Sequence, residues 1–146
     1  MNKTRTFALA MALAFGMAAS SHAGCKDPPA PNVDWSHCGM NGADLSGKNL
    51  TGANLTGANL DNTDISDATL NQATLVNATL RFANLGSTNL SGANLTGATL
   101  TKAYMNSANL TGATLTGAKL TGANLTEATW LDGKKVCASG SLGACN

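Results

Sequence analysis

The sequence predicts an all-β solenoid, a thin rod of stacked coils, on three observations. Apolar residues recur every fifth position, small residues stand two places before them, and aromatic and charged residues are scarce. Aromatics make up 4% of the 146 residues and charged residues 12%, against 43% hydrophobic residues and 16 glycines. An ordinary globular domain carries about a quarter charged residues and draws its core from Phe, Tyr, Ile and Val. Disorder is excluded as well, because the leucines are too many and too regularly spaced. The length suits one domain. The formal charge of +1 excludes a strongly basic nucleic-acid arm or an acidic, DNA-like surface.

Taken in chain order, the first element is an address. Residues 1–23 read as a secretory signal peptide: Lys3 and Arg5 form the positive start, Phe7 to Ala19 the apolar run, and Ser21-His22-Ala23 the cleavage site. The apolar run is too short for a spanning helix. A lipidated start at Cys25 is disfavoured by His22, which stands where an aliphatic residue belongs, and by the odd thiol count that lipidation would leave. Cleavage after Ala23 leaves seven cations against eight carboxylates, a mature charge of −1.

Residues 24–42 form an expected N-terminal cap and residues 132–146 a C-terminal one. They hold the four cysteines, Cys25, Cys38, Cys137 and Cys145. Four cysteines permit three connectivities. Locality favours Cys25–Cys38 and Cys137–Cys145, one loop at each end of the repeat. A zinc site would want C-x2-C pairs, and the spacings are C-x12-C and C-x7-C.

Between the caps, residues 43–131 carry the repeat. From Leu45 to Trp130 every fifth residue is apolar without a slip, with Ile65 and Met105 among the leucines. The residue two before is small, usually Ala, and only Lys48, Thr63 and Thr88 break that column. The phase extends back through Met40 with Cys38 and Trp35 with Val33. Neither a helix, with period 3.6, nor a plain strand, with period 2, explains a period of five. Residues two apart on an extended segment share a side, so the Ala and Leu columns point inward together. Gly and small polar residues between them permit a corner. One coil cannot bury its own leucines, whereas stacked coils form a continuous narrow core. Trp35 and Trp130 stand at the two extremes of the apolar column, where a large side chain closes the core.

The motif A-[DN]-L-x-x, as in Ala53-Asn54-Leu55-Thr56-Gly57, resembles the pentapeptide repeat family over about residues 33–131. The resemblance implies a right-handed quadrilateral β-helix of about five coils, four pentapeptides to a square coil. The tail from Trp130 through Cys145 is also similar to the ending of exported members. The family's best-described role, inhibition or protection of DNA gyrase by an acidic rod shaped like duplex DNA, is not carried over. Here Lys48, Arg81, Lys102 and Lys119 nearly balance Asp44, Asp61, Asp64, Asp67 and Glu127, and the chain is expected outside the cytoplasm.

Function is then sought in the outward positions, where residues twenty apart should stack. His37 is the one histidine of the mature chain, and no nucleophile–base pair, HExxH or phosphate-cradling motif accompanies it. No catalytic, metal or cofactor site is expected. Asp61, Asp64 and Asp67, with Asp44 stacked on Asp64, form a carboxylate group of the type that holds Ca²⁺. They are read instead as a solvated acidic edge. Arg81, Phe82, Lys102 and Tyr104 break a small, polar exterior, and cations beside exposed aromatics mark contact surfaces. These four are the candidate partner patch. The Thr/Asn faces, Asn54/Thr56, Thr74/Val76, Asn94/Thr96 and Thr114/Thr116, offer an alternative as an ice- or glycan-binding surface.

The resulting expectation is an exported, non-enzymatic structural or protein-interaction module of the bacterial envelope. It would be periplasmic or secreted, a monomer, without nucleic acid or stable membrane insertion, and with a protein partner unidentified by the sequence.

Overall fold

A computed structural model describes residues 24–146; the expected signal peptide, residues 1–23, lies outside the described residues. The molecule is a right-handed quadrilateral β-helix. Residues 31–130 repeat one five-residue conformation, a two-residue turn followed by a short extended segment. Parallel bridges join residues twenty apart, as along Asp34, Asn54, Thr74, Asn94 and Thr114. Four pentapeptides therefore close one coil, and about five coils at ~4.8 Å spacing make a rod roughly 24 Å tall.

Each side of a coil holds its neighbours through the ladder of a parallel sheet. The amide of Asn54 donates to the carbonyl of Val33 at 2.9 Å, and that of Leu55 to Thr74 at 2.7 Å. Each corner is closed locally: the amide of Ala53 donates to the carbonyl of Leu50 at 3.0 Å. The second corner residue takes positive φ. Gly52 and Gly57 sit there at φ 66° and 65°, a conformation that costs a Cβ-bearing residue roughly 1–2 kcal/mol. Asparagine in the middle of the extended segment fastens the next corner, its Oδ1 accepting the amide two residues on. Asn94 takes the Thr96 amide at 3.1 Å and the Thr96 hydroxyl at 2.6 Å.

The inward columns make the core. Leu50 through Leu100 and the alanines between them are buried. A buried leucine contributes about 1.5–3 kcal/mol by transfer from water, so stacking supplies most of the stability. Of the three breaks in the alanine column, Lys48 is exposed, whereas Thr63 and Thr88 are buried. Their hydroxyls donate to the carbonyls of Met40 at 2.9 Å and Ile65 at 2.7 Å, which satisfies the added polar group.

The two ends differ. At the first, Trp35 is 1% exposed and its indole Nε1 is buried without a partner. Cys25 is bonded to Cys38, with Cα atoms 5.4 Å apart, and the Gly24 amide donates to Asp34. At the second, Trp130 is only partly buried and packs on the edge of the core. There the tail runs back over the last coil as two added antiparallel segments, bridging Val136 to Thr129 and Leu142 to Asn124. Cys137 is bonded to Cys145, with Cα atoms 4.8 Å apart. Trp130 thus shares the closing of its end with backbone, which explains why it does not match Trp35 in burial. No helix among the described residues is long and apolar enough to cross a membrane.

Candidate functional site

The exterior is built from the three sequence positions that the core leaves free, the middle of each side and the two residues of its corner. Small residues occupy nearly all of them. His37, Gln72, Lys119 and Glu127 are scattered exceptions, and the corner column Gly42, Asn62, Phe82, Lys102 and Gly122 sets two large side chains on adjacent coils. All five residues have positive φ, between 58° and 70°. Glycine and asparagine are the usual occupants of that conformation; phenylalanine and lysine are not. Phe82 is 48% exposed, and the Lys102 ammonium lies 5.5 Å from its ring centroid. That distance is within reach of a cation–π contact. Tyr104 follows on the adjoining side, bridged between Asn84 and Asn124, and is 53% exposed.

Arg81, the fourth residue expected in this patch, is committed elsewhere. Its Nε and backbone amide reach Asp61 at 2.9 and 2.8 Å, and Nη2 completes a forked ion pair with the same carboxylate. The Asp61 side chain is 5% exposed and that of Arg81 57%. Burial pushes the Asp61 pKa up, but the hydrogen bonds and charge of Arg81 outweigh it, and the net shift is downward. The Arg81 pKa is raised by the same contact.

This pair corrects the reading of Asp61, Asp64 and Asp67 as one solvated acidic edge. Asp61 is buried against Arg81. Asp64 accepts from the Ser66 amide and hydroxyl and from the Asn84 amide group, while Asp67 sits at a corner with φ 57°. Asp44 does bridge Asp64, but its Oδ1 is held by Ser46. Among the described residues no group of three or more His, Cys, Asp and Glu is arranged to hold a metal ion. Opposite charges twenty residues apart were the sequence signal for the Asp61–Arg81 pair.

The Thr/Asn side is regular in backbone, with Asn54, Thr74, Asn94 and Thr114 bridged in series. Its hydroxyls are partly turned inward on the chain, as that of Thr96 is on Asn94. His37 lies at a corner with φ 58°, at the end of the rod beside Gly57 of the next coil. What the exterior offers chemically is two half-exposed aromatic rings and a cation on an otherwise mostly small and polar rod.

Comparison with known proteins agrees with this architecture. The family model for pentapeptide repeats matches in 8 copies, over residues 36–72, 73–112 and 88–126. Among solved structures, the chain is similar to HetL, a pentapeptide repeat protein involved in heterocyst differentiation regulation from the cyanobacterium Nostoc sp. strain PCC 7120. Identity is 35% and the TM-score 0.58, over 72% of this chain and 52% of HetL. It is also similar to the pentapeptide repeat protein Rfr23 from the cyanobacterium Cyanothece 51142, with 36% identity and a TM-score of 0.50. That match covers 64% of this chain and 60% of Rfr23. The chain thus spans between half and two thirds of the length of these two proteins. No curated protein matches it in sequence.

Proposed function

The chain belongs to the pentapeptide repeat family, and on that premise we propose that it is an exported, non-enzymatic interaction module of the bacterial envelope. One observation carries the reading. Phe82 and Tyr104 stand half-exposed beside Lys102 on a rod whose other outward side chains are mostly small and polar. Holding Phe82 at positive φ costs conformational energy that a glycine would avoid, and the fold gains no core packing from it.

Export is supported by the two disulfides, which persist in non-reducing compartments, together with the signal-like residues 1–23. The absence of catalysis is proposed because the histidine and the carboxylates are dispersed over corners and sides. Gyrase-type activity is not part of the proposal, since the rod is near neutral and long-range steering needs summed charge.

Binding of the oxidised mature protein to envelope extracts, compared with Phe82→Ala and Tyr104→Ala, tests the proposal. Loss of the bound fraction in both variants is the expected result. Equal binding by all three proteins would remove the patch from the account.

A further inference from the structure

The first coil has no coil before it among the described residues, yet part of its inward surface is fully covered. Val33, Trp35 and Cys38 are 9%, 1% and 1% exposed, whereas Met40 and Ala43, further round the same coil, are only partly buried. Residues 24–30 are anchored on the covered part. In the stack, the carbonyl in the middle of a side accepts an amide from the coil before, as Asn54 does from Trp35 at 2.8 Å. At Asp34 the Gly24 amide takes that place at 3.0 Å, and Cys25 is bonded to Cys38 on the next side. The segment is a strap whose two anchors stand on either side of Trp35.

Little besides the disulfide holds this strap. Residues 25–29 are exposed, and no residue from 24 to 30 belongs to the core except through the cysteine bond. Pro28 and Pro29 have no amide to offer a coil. Apart from the Gly24 bond, and the Ala30 carbonyl that closes the first corner by accepting from Val33, no hydrogen bond joins the strap to the coils among the described residues. The closed form also strands a donor, because the indole Nε1 of Trp35 is buried without an acceptor. Access to water would relieve that cost. A covalent bond, more than packing, therefore keeps the strap shut. The second disulfide is set differently: its tail is paired to the last coil at Leu125, Glu127 and Trp130, and Cys137 and Cys145 are buried and partly buried.

We propose that Cys25–Cys38 is a redox-operated clasp on the N-terminal end of the rod, opened by a dithiol reductant and closed again by exchange with a disulfide. Cys25 is exposed and Cys38 is 1% exposed, so the entering thiolate attacks the sulfur of Cys25. A new bond forms between reductant and Cys25, the Cys25–Cys38 bond breaks, and its electron pair leaves on the sulfur of Cys38. Burial disfavours a thiolate there, and Cys38 takes up a proton. The second thiol of the reductant then attacks its own mixed-disulfide sulfur and releases Cys25. Two cysteine thiols and one disulfide of the former dithiol result. The freed strap leaves Trp35 open to water, while the ladder from the second coil onward is untouched. This clasp does not rest on the Phe82–Tyr104 patch, and its test reads different atoms.

The test uses the oxidised mature protein carrying Trp130→Phe, so that Trp35 alone reports. It is equilibrated in mixtures of reduced and oxidised dithiothreitol of rising reduced fraction. Alkylation and mass spectrometry locate the free thiols, acrylamide quenching reads the exposure of Trp35, and amide exchange reads the rod. Cys25 and Cys38 should be alkylated at ratios that leave Cys137–Cys145 closed. Over the same range the quenching constant of Trp35 should rise at least about threefold, and its emission should move to longer wavelength. The amides of Leu75 and Leu80, bonded to Asn94 and Thr99 within the stack, should keep their protection. Cys25→Ser, which leaves Cys38 as a thiol, should give the open signal without reductant. Trp35 quenching that stays unchanged once Cys25 and Cys38 are reduced would overturn the proposal. So would reduction of Cys137–Cys145 at the same or a lower ratio, or loss of protection at Leu75 and Leu80 along with the clasp.

Discussion

Asp61 and Arg81, twenty residues apart and one coil from each other, form a forked ion pair in which one carboxylate accepts from the guanidinium and from the backbone amide of the same residue. The contact ties neighbouring coils at a corner and adds a charged link to the backbone ladder and to neutral-donor bonds such as Asn54–Asp34 and Asn84–Asp64. Asp61 is nearly all buried, so removing its carboxylate breaks hydrogen bonds with little solvent to replace them. Asp61→Ala is expected to cost about 1–3 kcal/mol, read as a lower midpoint in urea denaturation. Arg81→Ala should also destabilise, because it strands the carboxylate.

The same pair sets a pH dependence. Four carboxylates are held below the ordinary value of 3.8. The Ser36 amide acts on Asp34, the Ser46 hydroxyl on Asp44, and the Lys135 amide on Asp132. At Asp61 burial opposes the shift and Arg81 overcomes it. A depressed folded pKa means that the unfolded chain binds more protons, so stability rises with pH across this range. The stabilisation is fully present above pH 3.8 and is lost as pH falls through the lower folded values. Thermal unfolding between pH 7 and pH 2 should show the melting temperature falling on the acid side. Asp61→Asn should flatten that fall while leaving the neutral side level.

Phe82 allows contact and fold to be separated. Its φ of 58° belongs to a position where Gly42 and Gly122 stand in the same column. Phe82→Gly removes the aromatic ring and relieves the positive-φ cost, offset by the larger freedom of glycine in the unfolded chain. Stability is expected to stay within about 1 kcal/mol of the parent. A variant as stable as the parent that no longer binds would assign the ring to recognition. A large loss of stability would show that Phe82 supports the fold after all.

The core predicts a gradient along the rod. Leu75 is fully enclosed between coils, whereas Leu115 is only partly buried at the end. Leu75→Ala should cost about 2–5 kcal/mol, with the residual cavity adding to the lost transfer energy. Leu115→Ala should cost clearly less. Equal losses in guanidinium denaturation would contradict the end-to-middle difference in burial.

How far the sequence could be read follows from the repeat itself. A period of five places Leu50 and Ala53 inward and Asn54 outward from the residue order alone, because the alternation along an extended segment is steric. The exceptions were harder. Thr88 breaks the alanine column yet is buried, and only the nearby Ile65 carbonyl explains it. Asp61 and Arg81 looked like members of two different surface groups, because a pairing across coils depends on side-chain direction as well as spacing. The tail carries no repeat, so nothing in its order of residues announced that Val136 and Leu142 would add antiparallel segments to the last coil.

That tail depends on its disulfide more than the rod depends on either one. Residues 132–146 contribute few buried apolar side chains, chiefly Cys137, so little but the 137–145 link and the rim hydrogen bonds holds them in place. Closing a loop of this size contributes about 2–3 kcal/mol through the unfolded chain. Replacing Cys137 and Cys145 together by serine should therefore loosen the tail before the coils. The amides of Leu125, Glu127 and Trp130, which donate to Ser141, Cys137 and Lys135, should exchange faster. Those of Leu75 and Leu80, which donate within the stack to Asn94 and Thr99, should keep their protection. Uniform acceleration of both groups would show instead that tail and rod unfold as one unit.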